Sequence, residues 1–302
     1  MSTRSWSAFL LLGSVWGSSF LWIKLALAEF GPFTLVGFRL LFGALGMAVV
    51  LGFRRPTFPT NRKTWLLLAI MGLTNTALPF VLISWGQTSI DSGVASILNS
   101  TTPLFTLVIA HFFLDDERMT VPRAIGLVVG FIGILLLFSR DVGAAGFRSG
   151  LLGQAAVLAA SISYAGSSVF ARRAFRNVPL LIQAAVPLFV ADMLIWVGAI
   201  SFEAPLSLPR LPITWISLAW LGLLGSCLAY LLYFYLLTTV GSTRTTLVTY
   251  MFPVIGIGLG VFFLGESFDV CLVIGALLVV AGIGVVNWKP RNKNPVPVRP
   301  DS

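Results

Sequence analysis

The chain has 302 residues, of which 57% are hydrophobic and 10% are charged, and its formal net charge is +9. Soluble domains are about 45–50% apolar and about 25% charged, so the composition excludes a large soluble domain that catalyses a reaction or binds nucleic acid. A mean hydropathy of +0.94 instead predicts a protein solvated by lipid.

Ten apolar runs, bounded by charged residues, Gly and Pro, are long enough to span a bilayer. A spanning helix takes about 20 apolar residues, and a helix satisfies its own backbone hydrogen bonds in lipid. The predicted spans are 6–27, 32–52, 64–84, 92–114, 121–139, 151–171, 179–201, 212–237, 245–264 and 270–288. We therefore predict an all-α, polytopic membrane protein with ten transmembrane helices. The first run is too long for the apolar core of a cleavable signal peptide, so we expect it to be retained.

The placement of Lys and Arg residues indicates the orientation of these helices. Most of the 20 basic residues fall in loops on the side of the membrane that carries both termini. Cytoplasmic loops are enriched in Lys and Arg, so both termini are predicted to be cytoplasmic. Residues 289–302 are rich in Pro and basic side chains, which is typical of a disordered tail.

The two halves of the chain resemble each other. A shift of 149 residues places Gly17-Ser18-Ser19 on Gly166-Ser167-Ser168, and a shift of 150 places Thr64-Trp65 on Thr214-Trp215. Each half contains five predicted helices, so the second half enters the membrane from the opposite side. Inverted repeats of this kind are typical of secondary transporters. The repeats are predicted to occupy residues 1–140 and 150–288.

Several short motifs occur in a fixed order along the two halves. They are Trp16-Gly17-Ser18-Ser19-Phe20, Phe38-Arg39-Leu40, Pro103 in the fourth span, Phe113-Leu114 with Glu117-Arg118, and Phe263-Leu264-Gly265-Glu266. Together they resemble the EamA family of the drug/metabolite transporter superfamily. The first half departs from the usual Leu-Gly-Glu-Arg of that family, because it reads Leu114-Asp115-Asp116-Glu117-Arg118.

This resemblance implies a bacterial inner-membrane protein that exports small metabolites by alternating access around a central cavity between the two halves. It implies a monomer or weak dimer that binds lipid and a small-molecule substrate and needs no cofactor. Within the family, it favours a secondary-active exporter of neutral or aromatic amino acids. An exporter of drugs or other metabolites with the same fold, and a passive pore, are the alternatives.

Helix-breaking residues near the middle of two corresponding spans predict where the substrate binds. Pro103 cannot donate a hydrogen bond to residue 99, which frees a backbone carbonyl, and Pro253 is its counterpart in the second half. Irregular backbone within a membrane is tolerated where protein or water covers it. Alternatively, these prolines only kink the helices, and nearby Ser and Thr hydroxyls bond their own backbone.

Polar and aromatic side chains complete the predicted binding site. The candidates for substrate binding are Trp16, Asn75, Phe80, Asn99, Ser100, Pro103, Tyr164, Tyr230, Thr249, Tyr250 and Pro253. Asn75 would be costly in contact with lipid, and the rings of Trp16, Tyr164 and Tyr230 could stack on an apolar or aromatic ligand. The alternative role for the aromatic side chains is packing or anchoring at the membrane interface.

Charged side chains within the spans are few. Asp192 could carry a coupling proton, or could form a structural hydrogen bond or ion pair. Arg39 could bind a substrate carboxylate, or could pair with backbone carbonyls and Glu29, and the structural role is preferred. Lys24 is expected to extend toward the membrane surface. A single His and no clustered acidic residues at membrane depth leave no predicted metal or catalytic site, so the protein is not expected to be an enzyme.

Overall fold

The computed structural model describes residues 1–114, 119–139, 147–175 and 177–287. These residues form ten apolar helices and, within those ranges, no β-strand. The helices are α1 Thr3–Ala26, α2 Pro32–Arg54, α3 Arg62–Gly86, α4 Ser92–Phe113, α5 Val121–Ser139, α6 Phe147–Ala174, α7 Leu180–Phe202, α8 Pro212–Val240, α9 Arg244–Leu264 and α10 Val270–Val286. Each predicted span corresponds to one of these helices; nine are long and apolar enough to cross a membrane, and α10 is a shorter apolar helix. The Glu117-Arg118 motif and the predicted tail at 289–302 lie outside the described residues.

The pairwise packing of the helices has the symmetry of two inverted five-helix repeats. The main contacts join α5 to α10, α2 to α7 and α4 to α9; α1 packs on α8 and α9, and α6 packs on α3 and α4. Replacing each helix by its counterpart in the other repeat converts this set of contacts into itself. Local detail repeats too, because the indole N–H of Trp65 donates to the Pro59 carbonyl at 2.8 Å and that of Trp215 to the Pro209 carbonyl at 3.1 Å.

Glycines allow α5 and α10 to cross with their backbones in contact. A Cβ atom added to Gly126 would lie 2.7 Å from the Gly282 carbonyl oxygen, and one added to Gly282 would lie 2.6 Å from that of Gly126. Gly133 and Gly275 approach in the same way, with the added Cβ of Gly133 at 2.8 Å from the Gly275 carbonyl oxygen. Small residues permit such close packing in membranes, where helix association depends on van der Waals contact.

Replacing Gly282 by Ala should destabilise the protein, whereas replacing Gly284 by Ala should not. The new Cβ at position 282 would lie 2.5 Å from the Gly130 nitrogen, and backbone atoms cannot move aside as a flexible side chain can. Overpacking of this kind costs about 1–3 kcal/mol. At Gly284 the nearest atom is the Tyr250 hydroxyl oxygen at 3.9 Å. Thermal unfolding in detergent, followed by size-exclusion chromatography, measures the difference, and equal melting of the two variants would contradict the packing argument.

Four helices are interrupted, and the interruptions fall in corresponding pairs. The backbone forms π-helical turns at Leu73–Ala77 in α3 and at Trp220–Leu228 in α8. In the other pair, α4 breaks at Thr101, and α9 contains a 3₁₀ turn at Leu247–Tyr250. The sequence predicted irregular backbone in α4 and α9 from their prolines but did not predict the π turns. In α8 a side-chain hydrogen bond spans the same five-residue spacing as the π turn, because the Ser226 hydroxyl donates to the carbonyl of Leu221, five residues earlier, at 3.0 Å.

Candidate functional site: a buried cluster around Arg39

Arg39 on α2 lies at the centre of a group of polar and aromatic side chains from both repeats. Its side chain is only 5% exposed. The Arg39 Nε–H donates to the Ser226 hydroxyl on α8 at 3.3 Å, and the guanidinium carbon lies 3.8 Å from the centroid of the Phe80 ring on α3. Tyr164 on α6 and Tyr230 on α8 are electrostatic neighbours of the guanidinium group.

The two π turns bring equivalent positions of the repeats to the same place. Thr76 and Ser226 correspond at a shift of 150 residues, and so do Phe80 and Tyr230. Thr76 is 1% exposed and faces Tyr230, while Ser226 and Phe80 contact Arg39 directly. Equivalent residues that meet around one side chain lie near the axis that relates the repeats. π turns are often found at functional sites.

Trp16 links the first repeat to this group. Its indole N–H on α1 donates to the Gly225 carbonyl in the π turn of α8 at 3.0 Å. The Trp16 ring also packs against Tyr233 and Phe252, with centroid separations of 5.8 and 6.2 Å. We call the following residues the central cluster: Trp16, Arg39, Thr76, Phe80, Tyr164, Gly225, Ser226 and Tyr230.

The structure brings four of the predicted substrate-binding residues into the central cluster, namely Trp16, Phe80, Tyr164 and Tyr230. Sequence reasoning did not include Thr76 and Ser226 among the candidates. Their signal was present in the sequence, because Thr74-Asn75-Thr76 and Gly225-Ser226-Cys227 occupy corresponding positions of the third and eighth spans.

The predicted residues of α4 have other contacts. The Ser100 hydroxyl donates to the Ile97 carbonyl at 2.7 Å, and the Thr102 hydroxyl donates to the Asn99 carbonyl at 2.8 Å. The acceptor that Pro103 frees is therefore bonded locally, as the alternative interpretation expects. The Asn99 side-chain oxygen is buried and has no hydrogen-bond donor among the residues that the structure describes.

The predicted residues of α9 likewise form their hydrogen bonds with groups other than Arg39. The Thr249 hydroxyl donates to the Thr246 carbonyl at 2.9 Å, and Pro253 is buried. The Tyr250 hydroxyl accepts from the Asn287 side chain at the end of α10 at 3.3 Å. Asn75, which belongs to the π turn of α3, is half-buried.

Neither of the charged candidates, Asp192 and Arg39, forms an ion pair within the described residues. Asp192 on α7 is half-buried beside Trp196, and one of its carboxylate oxygens has no hydrogen-bond donor within the described ranges. Glu29 does not bind Arg39, because its carboxylate accepts from the backbone N–H groups of Arg210 and Leu211 at 3.0 and 3.1 Å. The expected pairing of Arg39 with Glu29 is therefore wrong.

One membrane face is held together by bonds from a lysine. We call the face where α1 begins the N-terminal face and the other the opposite face. At the opposite face, the Lys24 ammonium group donates to the backbone carbonyls of Gln87 and Ile90, both at 2.7 Å. Asp91 and Glu266 are its electrostatic neighbours. Lys24 thus extends to the α3–α4 loop at this face, as expected, and ties α1 to that loop.

Carboxylates join the two repeats at this opposite face. Glu266, in the loop before α10, accepts from the backbone N–H groups of Ser92 and Gly93 at the start of α4, at 2.6 and 3.0 Å. Glu29 binds the backbone just before α8 in the same way. A negative charge is favourable at a helix N-terminus, where N–H groups lack intrahelical partners. Each of these contacts therefore fastens a loop of one repeat to a helix of the other.

At the N-terminal face, the positions equivalent to the Glu29 contact are open. Val178 corresponds to Glu29, and Thr60-Asn61 corresponds to Arg210-Leu211. These residues line a cavity of about 550 Å³ together with Arg173, which corresponds to Lys24. The two faces of the protein therefore differ in structure, although their residues occupy corresponding positions of the repeats.

Glycines on α1 and α6 show the same difference. A Cβ atom added to Gly17 would lie 2.9 Å from the Cβ of Ile255 on α9, whereas one added to the equivalent Gly166 would have no neighbour within 4 Å. Thus α1 is packed closely on α9 at a level where α6 has open space.

Comparison with known proteins places this arrangement in a transporter family. The model of the EamA-like transporter family matches residues 4–139 and 151–288. The uncharacterized transporter YoaV of Bacillus subtilis is 27% identical over 270 residues, which cover 89% of this chain and 91% of that protein. The uncharacterized inner membrane transporter YedA of Escherichia coli K12 is 27% identical over 261 residues, covering 86% and 83%. A crystal structure with 20% identity superposes with a TM-score of 0.67 over 94% of this chain and 96% of the other, which concerns the fold alone.

Proposed function

This chain belongs to the EamA-like transporter family, and we propose that it is a secondary-active exporter of small metabolites, with neutral and aromatic amino acids as its preferred substrates. Transport proceeds by alternating access, in which the central cluster opens to one membrane face at a time. Inverted repeats allow this because exchanging the conformations of the two repeats exchanges the open and the closed face.

The observation that carries the proposal is the difference between equivalent positions at the two faces. Lys24 and Glu29 form hydrogen bonds that join separate segments at the opposite face. Their counterparts Arg173 and Val178 border an open cavity. This is the arrangement expected of one of two exchangeable states. With both termini in the cytoplasm, as the basic loops predict, the open face is cytoplasmic, which suits an exporter that loads its substrate from the cell.

The composition of the central cluster supports the preference for aromatic and neutral amino acids. The rings of Trp16, Phe80 and Tyr230 offer apolar surface, and the hydroxyl groups of Tyr164 and Tyr230 add hydrogen-bonding capacity. Asp192 is our candidate for carrying a coupling proton, because an ionisable side chain within a spanning helix is costly unless it has a function.

Purified protein in liposomes should exchange L-tryptophan and L-leucine across the membrane with saturable kinetics. Alternating access also allows unlabelled amino acid on one side to accelerate the movement of labelled amino acid from the other, which a passive pore cannot do. Liposomes without protein serve as the control, and an imposed pH gradient tests proton coupling. Flux that rises linearly with concentration and shows no such acceleration would indicate a passive pore and contradict the proposal.

A further inference from the structure

Arg39 is a buried cation without a carboxylate partner in the described part of the chain. Among the residues described, it is the one charged side chain that is almost fully buried. Its recorded protein contacts are the Ser226 hydroxyl, which accepts from Nε, and the face of the Phe80 ring. A guanidinium group has five N–H donors in a planar fork, so most of its capacity to donate hydrogen bonds is unused by these contacts.

The acidic residues of the described ranges are engaged elsewhere. Glu29, Glu203, Glu266 and Asp269 accept hydrogen bonds from backbone N–H groups, Asp91 faces Lys24, and Asp192 lies beside Trp196. Burying a charge without an opposite charge is unfavourable in a membrane protein. The π electrons of Phe80 offset part of this cost, but they do not satisfy the N–H groups.

Gly225 leaves a small gap beside the guanidinium group. A Cβ atom added to it would lie 3.9 Å from Nη2 of Arg39, in ordinary van der Waals contact. The hydroxyl groups of Tyr164 and Tyr230, which neighbour the guanidinium group, could donate to the same anion. The position that corresponds to Arg39 in the second repeat is Leu188, so the first repeat has a cationic side chain at this position and the second repeat does not.

We propose that Arg39 binds the carboxylate of the transported molecule and thereby restricts transport to substrates that carry one. The inference rests on the proposed function, because it assigns the substrate class of the same central cluster. Arginine and a carboxylate form paired, charge-assisted hydrogen bonds, which neutralise the buried cation when the substrate is bound. The apolar part of the substrate then lies against the aromatic rings of the cluster.

Competition in the wild-type protein tests the inference without any substitution. The probes are L-tryptophan, indole-3-propionate, which keeps the carboxylate and lacks the amine, and tryptamine, which keeps the amine and lacks the carboxylate. A matched series is L-leucine, 4-methylpentanoate and 3-methylbutylamine. We expect each amine to inhibit the exchange of labelled amino acid at least about tenfold more weakly than the corresponding carboxylate. The reason is that the amine cannot form the charge-assisted hydrogen bonds to Arg39.

The outcomes separate this inference from the proposed function. Equal inhibition by tryptamine and indole-3-propionate, with saturable exchange intact, overturns the role of Arg39 and leaves the transporter function standing. Absence of saturable flux for every probe in both series overturns the proposed function and this inference with it.

Substitutions of Arg39 add a second readout. In Arg39→Gln, the KM for L-tryptophan should rise at least about tenfold, and discrimination against tryptamine should be lost. Arg39→Lys keeps the charge but not the planar set of N–H donors, so its KM should lie between those of the wild type and Arg39→Gln. Arg54→Gln, at the exposed end of α2, is the matched control and should behave like the wild type. Should Arg39→Gln fail to fold, Tyr164→Phe provides a milder test with a smaller rise in KM for the carboxylates alone. A folded Arg39→Gln protein that still discriminates against tryptamine would overturn the inference.

Discussion

Replacing Lys24 by Met should open the opposite face of the protein and reduce the exchange of substrate at least tenfold. The Lys24 ammonium group makes two hydrogen bonds of 2.7 Å to the carbonyls of Gln87 and Ile90, and bonds to charged groups contribute about 1.5–3 kcal/mol each. Because each 1.4 kcal/mol changes a population ratio about tenfold, losing both should shift the balance between the two states strongly. A protein that favours one state exchanges substrate slowly.

Cysteine labelling measures the shift in Lys24→Met directly. With Cys227 and Cys271 replaced by Ser, the substitution Ser19→Cys introduces a thiol at a buried position of α1, between Trp16 and Lys24. A membrane-impermeant maleimide added at the opposite face should label this thiol faster in the Lys24→Met background. Glu266→Gln, which removes the charge that binds the start of α4, should act in the same direction. Unchanged labelling in both variants would show that these contacts do not close the face.

A local contact at the same face provides the matched control. The Asp269 carboxylate accepts from the backbone N–H of Leu272 at 2.8 Å, within the first turn of the helix that it begins. Replacing Asp269 by Asn should therefore lower stability slightly without increasing the labelling of Ser19→Cys. Labelling that increases equally in all three variants would point to general loosening of the fold instead of the specific opening of one face.

The ten helices and their inverted duplication could be predicted because both leave a signal along the sequence itself. Hydropathy reports burial in lipid residue by residue, and a constant shift reveals the repeat through pairs such as Trp65 and Trp215. The π turns leave no comparable signal. Their wide backbone turns depend on contacts such as the bond from the Ser226 hydroxyl to the Leu221 carbonyl, which only the folded helix brings together.

The direction in which each helix faces was the harder part of the site to predict. In a soluble protein the apolar stripe of a helix marks the inside, but in a membrane both the lipid-facing and the buried sides are apolar. The hydroxyl groups of Ser100 and Thr249 therefore indicated a pocket, although both bond their own helix. Trp16 and Tyr230, which lie in the central cluster, stood out in the sequence because large amphipathic rings away from the span ends are less readily explained by lipid contact.

Valine at Gly17 and valine at Gly166 should stop transport in opposite states of the protein. At Gly17 the added side chain would clash with Ile255, whose Cβ lies 2.9 Å from the added Cβ, so the variant should leave the state described here and open the opposite face. At Gly166 no atom lies within 4 Å, so valine fits this state. When the two repeats exchange conformations, α6 would pack closely on α4, and the valine side chain would clash there with Phe105, which corresponds to Ile255.

The same Ser19→Cys assay distinguishes the two variants, because both should lose exchange at least about tenfold while changing labelling in opposite directions. From the opposite face, labelling should be faster than in the wild type for Gly17→Val and slower for Gly166→Val. Gly258→Val is the matched control: position 258 on α9 also has no atom within 4 Å of an added Cβ, but it is exposed on the outside of the bundle, so its transport and labelling should be unchanged. Because each variant obstructs one of two states related by the duplication, labelling that shifts in the same direction for Gly17→Val and Gly166→Val cannot be reconciled with exchange between the repeats.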